Sequence, residues 1–316
     1  MKFLNRNHYA LIFGEKCNLA CSYCSYGLNK KNADKFQSSA IENNISMLVK
    51  ILENLGNVAV TVSGGEPALF SNFPQLIKKL PKIKWIVFTN LTILPEWYFD
   101  DNISLLVPSY HNIVDKLNFL KNIKLLKREG KRMHCKIIVH PNNEYRDLDL
   151  FEKLWEISIP TSFVPLEYTY FFREEFLKSL ITKYRTSLLY NSRFFRLDYL
   201  CSRKCKAGTL DGFQINSDCT IVRCSTNQIK ISDIFNFHLY SKKVQCNVNS
   251  SCYCEWHHWN EWTLANDNEI WSDYVTKGIY KKPTIKELYE FIIKMRWLES
   301  GRNLESKTTS LFEGVL

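Results

Sequence analysis

Six short apolar runs alternate with helical patterns over the first 170 residues: HYALIFG, NVAVTVSGG, IKWIVFTN, ISLLVPSYH, HCKIIVHP and TSFVPLE. Each ends in Gly, Pro, Asn, His or a charged residue, as buried strands do. The clearest helical patterns are SSAIENNISMLVKILENLG, opened by Ser and closed by Gly56, and LNFLKNIKLLKREG, closed by Gly130. Such an order calls for parallel strands joined by right-handed crossovers. A closed eight-stranded barrel takes about 250 residues. Six units in roughly 170 residues therefore predict an incomplete α/β barrel, and its open side is able to admit a large substrate.

The pattern changes near Tyr168. From there to Leu200 the chain is aromatic and basic at helical spacing, which suits a helix packed on the barrel and also a lining for its open side. Beyond residue 200 cysteines crowd together, with a probable hairpin at GFQINSDCTIVRC. The expected organisation is a core barrel over 1–170, a helical connector over 171–200, a small cysteine-rich α+β domain over 201–262 and a helical segment with a tail over 263–316. Within the last, TIKELYEFIIKMRWLESG forms an amphipathic pattern capped by Thr284 with Glu287 three residues on. No internal repeat is apparent.

Neither the opening MKFLNRNHYALIFG nor any later stretch has the apolar run of a signal peptide or a membrane span. A soluble cytoplasmic protein with no membrane partner is expected. Eleven cysteines are then anomalous, because a reducing compartment disfavours disulfides and an odd number cannot pair fully. All but Cys135 fall in clusters, which points to metal ligands; Cys135, on the fifth strand, suits a small buried residue. The formal net charge of +10 suits a phosphorylated or nucleotide substrate. The lysines are spread without a long run, so nucleic-acid binding is not indicated.

The stretch GEKCNLACSYC follows the first strand directly. Thiolates from Cys17, Cys21 and Cys24 can hold three irons of a four-iron cluster and leave the fourth open for chemistry. A structural zinc, completed by His8 or His111, is the alternative, but it favours four closed ligands in paired spacings. At the end of the second strand stands SGGEP, comprising Ser63, Gly64, Gly65, Glu66 and Pro67. In a barrel the C-terminal strand ends form the active face, so this segment belongs beside the cysteine loop. The glycines let a ligand approach the backbone, and Glu66 offers a carboxylate to a cationic amine, although GGEP is also a plausible plain turn.

Together, CNLACSYC, SGGEP and the strand–helix order resemble the radical S-adenosylmethionine superfamily over about the first 170 residues. The resemblance implies a partial (β/α)6 TIM-like barrel in which Cys17, Cys21 and Cys24 bind a [4Fe–4S] cluster and S-adenosylmethionine chelates its fourth iron. Reductive cleavage would give methionine and a 5'-deoxyadenosyl radical that abstracts a substrate hydrogen. It also implies a reductant such as flavodoxin or ferredoxin. By the same resemblance Tyr23 lies near the adenine, Gly64, Gly65 and Glu66 receive the methionyl amine with Ser63 and Pro67 flanking them, and Ser109 contacts the ribose or carboxylate. A strand-end Ser is also a common turn residue. Ile138 and Val139 on the fifth strand either flank the adenine or simply pack in the core.

The later cysteines, Cys201, Cys205, Cys219, Cys224, Cys246, Cys252 and Cys254, resemble the SPASM or shortened Twitch auxiliary-cluster domains of the same superfamily. The implied ligands of one auxiliary [4Fe–4S] cluster are Cys205, Cys224, Cys252 and Cys254, with Cys201, Cys246 and Cys219 as alternates. Cys219 departs from the pattern, standing where a hairpin glycine is usual. Zinc, or mixed ligation with His257 or His258, stays open. The run CEWHHWNEW is read first as packing for a small domain and second as a substrate contact.

Oxidation, cross-linking or rearrangement of a peptide or of a small sugar or nucleotide-type molecule is the expected reaction. Peptide maturases often carry an N-terminal recognition domain, and the first strand here begins within about ten residues of the start. The competing class is a non-catalytic iron–sulfur or zinc protein for electron transfer or RNA binding. Such a protein has no use for SGGEP at a strand end after a cysteine triplet.

Overall fold

The computed structural model describes residues 8–14, 16–24, 40–139, 144–159, 161–165, 204–205, 208, 212–224, 229–238 and 244–245. All six anticipated strands form: β1 (His8–Gly14), β2 (Ala59–Gly64), β3 (Lys84–Thr89), β4 (Ile103–Tyr110), β5 (Cys135–Val139) and β6 (Thr161–Pro165). They pair in sequence order, each parallel to the next. The helices between them are α1 (Ala40–Asn43), α2 (Ile45–Leu55), α3 (Phe73–Lys79), α4 (Lys116–Arg128) and α5 (Glu144–Glu156).

The strands are apolar on both faces because each face is covered. One face carries Tyr9, Leu11 and Phe13 of β1, Val60 and Val62 of β2, and Trp85 and Val87 of β3, within the core shared with α2 to α5. Trp85 is fully buried and meets Phe73 of α3 edge-on at 5.3 Å. The opposite face gathers Ala59, Ile86, Leu105 and Val107, with Phe88 packed against them. These residues alternate with the first set along each strand, as the pleat requires.

The helix expected over 38–56 is broken near its start. Asn44 departs from helical geometry (φ −121°, ψ 30°), and its amide donates to the Ala40 carbonyl at 2.8 Å, so its side chain competes with the backbone ladder. Gly56 then ends α2 at φ +77°, and Gly130 follows α4 at φ +72°, as read from the sequence.

The hairpin after residue 200 also forms, as β8 (Gln214–Ile215) and β9 (Thr220–Val222), followed by β10 (Lys230–Asp233). It extends the barrel sheet: β8 runs parallel to β1, giving the order β10-β9-β8-β1-β2-β3-β4-β5-β6. The Ile41 amide, in α1, donates to the Ser217 carbonyl in the hairpin turn at 3.1 Å, a second tie between the two regions. A separate short pair joins β7 (Lys204–Cys205) to β11 (Val244–Gln245). The segments expected over 171–200 and 263–316 lie outside the described residues, as do Cys201, Cys246, Cys252, Cys254, His257 and His258. Among the described residues no helix is long and apolar enough to cross a membrane.

His134, between β4 and β5, makes the fold acid-sensitive. It is completely buried, which pushes its pKa down to about 3, with the Lys136 cation adding to the effect. The folded protein refuses a proton that the unfolded chain takes up below about pH 6.5. This part of the stability is thus present above pH 6.5 and falls as the pH drops toward 3; at pH 4.5 the loss is about 3 kcal/mol. Urea unfolding at pH 7 and 4.5 should show that loss in the wild type and a smaller one in His134→Phe.

Candidate functional site

The loop after β1 and the end of β2 are locked together by backbone. Gly65 N–H donates to Gly14 O, and Glu66 N–H donates to Lys16 O, each at 2.7 Å. The second bond ends one residue before Cys17, so the position of the cysteine loop is set directly by SGGEP. Glycine is required for this approach. A Cβ on Gly64 would lie 2.3 Å from Gly14 O at φ +120°, and one on Gly14 would lie 2.6 Å from the Phe70 ring. Gly64→Ala should destabilise the protein by about 3 kcal/mol, whereas Gly56→Ala, at φ +77° in open space, should cost about 1. Urea midpoints at unchanged m-value measure both.

The three cysteines are free thiols at this loop, Cys21 buried and the other two half-buried. Burial pushes the Cys21 thiol up to about 11, with Cys17 and Cys24 adding to the rise, so the three sulfurs sit within electrostatic reach of one another. Cys17 is also raised, mainly by burial. Its sulfur accepts from Leu19 N–H at 3.4 Å and from the Asn90 amide at 3.9 Å. Among the described residues no three His, Cys, Asp or Glu side chains converge as the ligands of a single metal ion would. His8 begins β1, at the far end of that strand from the cysteines.

Glu66 is turned inward. It is 1% exposed and accepts from Ala68 N–H (3.1 Å), the Thr89 hydroxyl (2.8 Å), Asn90 N–H (2.7 Å) and the Tyr98 hydroxyl (3.1 Å). Burial pushes its carboxyl up, and those donors oppose the rise. Its side chain thus fastens the end of β2 to the end of β3 and to the turn bearing Tyr98. Asn90 carries the connection onward: its amide also donates to Asn18 Oδ1 at 2.9 Å, and Asn18 donates to the Thr92 hydroxyl at 2.7 Å. Ser63 and Gly65 are partly exposed beside it, and Pro67, which is buried, opens a short 3-10 turn.

Tyr23 leans toward the end of β4. Its ring stacks on His111 with centroids 5.9 Å apart and planes at 19°; its hydroxyl lies 3.2 Å from His111 Nδ1 and donates to Asn112 Oδ1 at 3.4 Å. His111 Nδ1 is also 3.7 Å from Cys21 Sγ. Burial lowers the imidazole pKa to about 4, so the ring is neutral. Ser109 stands two residues earlier on β4, its hydroxyl 3.5 Å from Val107 O and its backbone in register with Lys136 of β5. Lys136 Nζ lies 4.4 Å from the Phe88 ring centroid, placing a cation on the face opposite the helix-packed core. Ile138 pairs with Val164 and Val139 with Pro165 on β6, while Cys135 is fully buried among core residues.

The sequence reading passed over Asn18, Asn90, Thr89, Tyr98 and Lys136. The available signal was position for Thr89 and Asn90, which end and follow β3; Lys136, second in β5, carries no such signal. In the hairpin, Cys219 takes the left-handed conformation (φ +71°) that a glycine there would favour, and its side chain is buried in the core cluster. Cys224 is also buried.

Residues 11–154 match the family model for the Radical SAM superfamily. GTP 3',8-cyclase of Syntrophomonas wolfei is 32% identical over 88 residues, 27% of this chain and 27% of that protein. GTP 3',8-cyclase of Psychromonas ingrahamii is 32% identical over 127 residues, 35% of this chain and 37% of that protein. The chain thus spans about a quarter to a third of the length of these curated relatives. Among solved structures, native anSMEcpe with bound AdoMet superposes with a TM-score of 0.56 at 18% identity, covering 93% of this chain and 97% of that one. SuiB of Streptococcus suis bound to precursor peptide SuiA does so with a TM-score of 0.50 at 14% identity, covering 86% and 67%. The parallel sheet of β1 to β6 has the partial-barrel fold of these neighbours.

Proposed function

We propose, because residues 11–154 match the Radical SAM superfamily model, that this chain is an enzyme that cleaves S-adenosylmethionine reductively and abstracts a hydrogen atom from its substrate. The cofactors of this family are S-adenosylmethionine and a [4Fe–4S] cluster. The chemistry they supply when bound is one-electron cleavage to methionine and a 5'-deoxyadenosyl radical. Cys17, Cys21 and Cys24 would hold the cluster. The donor set fits: three thiols share one loop, Cys17 and Cys24 both close enough to add to the raised pKa of Cys21, with N–H donors from Leu19 and Asn90 at Cys17.

One observation carries the reading, the Glu66 N–H to Lys16 O bond that joins SGGEP to the cysteine loop. It puts a glycine-rich strand end against the triplet, where a cofactor amine and an iron can be met together. Gly64 and Gly65 would receive the methionyl amine through backbone, since Glu66 already accepts from four donors of the chain. Tyr23 would flank the adenine and Ser109 the ribose or carboxylate. An electron would come from a low-potential carrier such as flavodoxin or ferredoxin.

An auxiliary [4Fe–4S] cluster held by Cys205, Cys224, Cys252 and Cys254 belongs to the same proposal. The burial of Cys219 in the core supports a turn role for it over ligation. The substrate is a peptide or a small sugar- or nucleotide-type molecule. Relatives named GTP 3',8-cyclase and a neighbour bound to a precursor peptide stand behind the two classes.

The test is anaerobic reconstitution with iron and sulfide, addition of S-adenosylmethionine and dithionite, and assay for 5'-deoxyadenosine. Its absence from protein containing reducible clusters overturns the reading in favour of an electron carrier. Stimulation of the yield by a nucleotide or by a peptide then divides the substrate classes.

A further inference from the structure

We infer that His111 is a positioning residue for the proposed cluster, donating its Nδ1–H to the Cys21 sulfur and so raising the cluster's reduction potential. The inference rests on the reading that Cys17, Cys21 and Cys24 hold that cluster. Its ground is the geometry of one contact set between the cysteine loop and the turn after β4. His111 Nδ1 lies 3.7 Å from Cys21 Sγ and 3.2 Å from the Tyr23 hydroxyl. The Tyr23 proton is directed to Asn112 Oδ1 at 3.4 Å. With that proton committed, the imidazole supplies the proton on its own side, and Nδ1–H faces both the phenol oxygen and the sulfur. A ligating cysteine is a thiolate and can only accept. Hydrogen bonds to cluster sulfurs withdraw charge and favour the reduced state, one of the ways proteins set such potentials.

The stacking of His111 on Tyr23 fixes the ring in place. The link spans 90 residues of sequence, so it fastens the triplet loop to the strand end that carries Ser109. Cys17 has comparable donors in Leu19 N–H and Asn90; at Cys21 the Tyr23 hydroxyl is a second side-chain group within reach beside His111, so the two are separated by their variants.

The experiment is a redox titration of the reconstituted full chain, following the component of the EPR spectrum that changes on addition of S-adenosylmethionine. His111→Phe keeps a ring to stack on Tyr23 and removes the N–H. At a fixed poise it should lower the ratio of reduced to oxidised cluster about threefold to tenfold, tenfold being about 59 mV for a one-electron couple. His111→Gln, which restores an N–H donor, should recover part of the shift, and Tyr23→Phe should not reproduce it. Iron content should stay at the wild-type value in all three.

An unchanged potential in His111→Phe overturns the inference, as does loss of iron from that variant, which would make the ring a ligand. An equal fall in Tyr23→Phe also overturns it, by assigning the donor to the phenol. Iron counting on Cys21→Ala separates the two levels. If iron does not fall there, the cluster assignment itself fails; if it falls while His111→Phe leaves the potential alone, only the role of His111 fails.

Discussion

The triple variant Cys17→Ala/Cys21→Ala/Cys24→Ala is expected to form no 5'-deoxyadenosine while keeping about four irons per chain, against about eight in the wild type. Two separate sites give that result, and the argument differs for each. The triplet sits on the loop that SGGEP fixes through Lys16 and Gly14, so its loss removes the iron to which the cofactor would bind. The proposed auxiliary ligands are far from the triplet in sequence, Cys205 on β7 and Cys224 just after β9 among the described residues, and should retain their iron. Folding should survive, because Cys17, Cys21 and Cys24 stand outside the principal core cluster. Near-UV circular dichroism checks that point. Zero irons remaining would contradict the auxiliary cluster, and persistent 5'-deoxyadenosine would contradict the assignment of the triplet.

The strand order could be read in advance because each strand is covered on both faces, which makes it a continuous apolar run bounded by turn residues. The triplet and SGGEP were legible because each is local, a few residues whose spacing already implies its chemistry. What could not be read is what the fold brings together from afar. Asn90 reaches Cys17 across 73 positions, and His111, offered by the sequence only as a candidate zinc ligand, reaches Cys21 across 90. Neither residue carries a local pattern. The turn of Glu66 toward the interior was likewise hidden, since its outcome depends on Thr89 and Tyr98, 23 and 32 residues away. The pairing of β8 with β1 is of the same kind: a two-residue strand has no periodicity, and only the free edge of β1 explains where it goes.

Glu66→Ala should destabilise the protein by about 4 kcal/mol or more, far beyond the effect of removing any one of its partners. The asymmetry follows from which side of each bond is lost. Glu66 is the shared acceptor, so alanine strands four donors in a buried site: two backbone amides and two hydroxyls. Each buried donor left without a partner costs about 1–3 kcal/mol. Tyr98→Phe removes one donor and leaves the carboxylate with three, at a cost of about 1 kcal/mol. Glu66→Gln falls between. Its carbonyl can still accept from Ala68, Thr89 and Tyr98, but its amide then confronts Asn90 N–H, which lies 2.7 Å from the present oxygen; about 2–3 kcal/mol is expected. Because Asn90 also holds Asn18 and approaches Cys17, that confrontation should loosen the cysteine loop as well. Urea titrations should therefore rank the variants Ala, Gln, Phe in decreasing severity, with iron loss at the core site greatest in Glu66→Ala and least in Tyr98→Phe. Equal stabilities for Glu66→Gln and the wild type would mean that the carboxylate is not the anchor of the β2 and β3 ends.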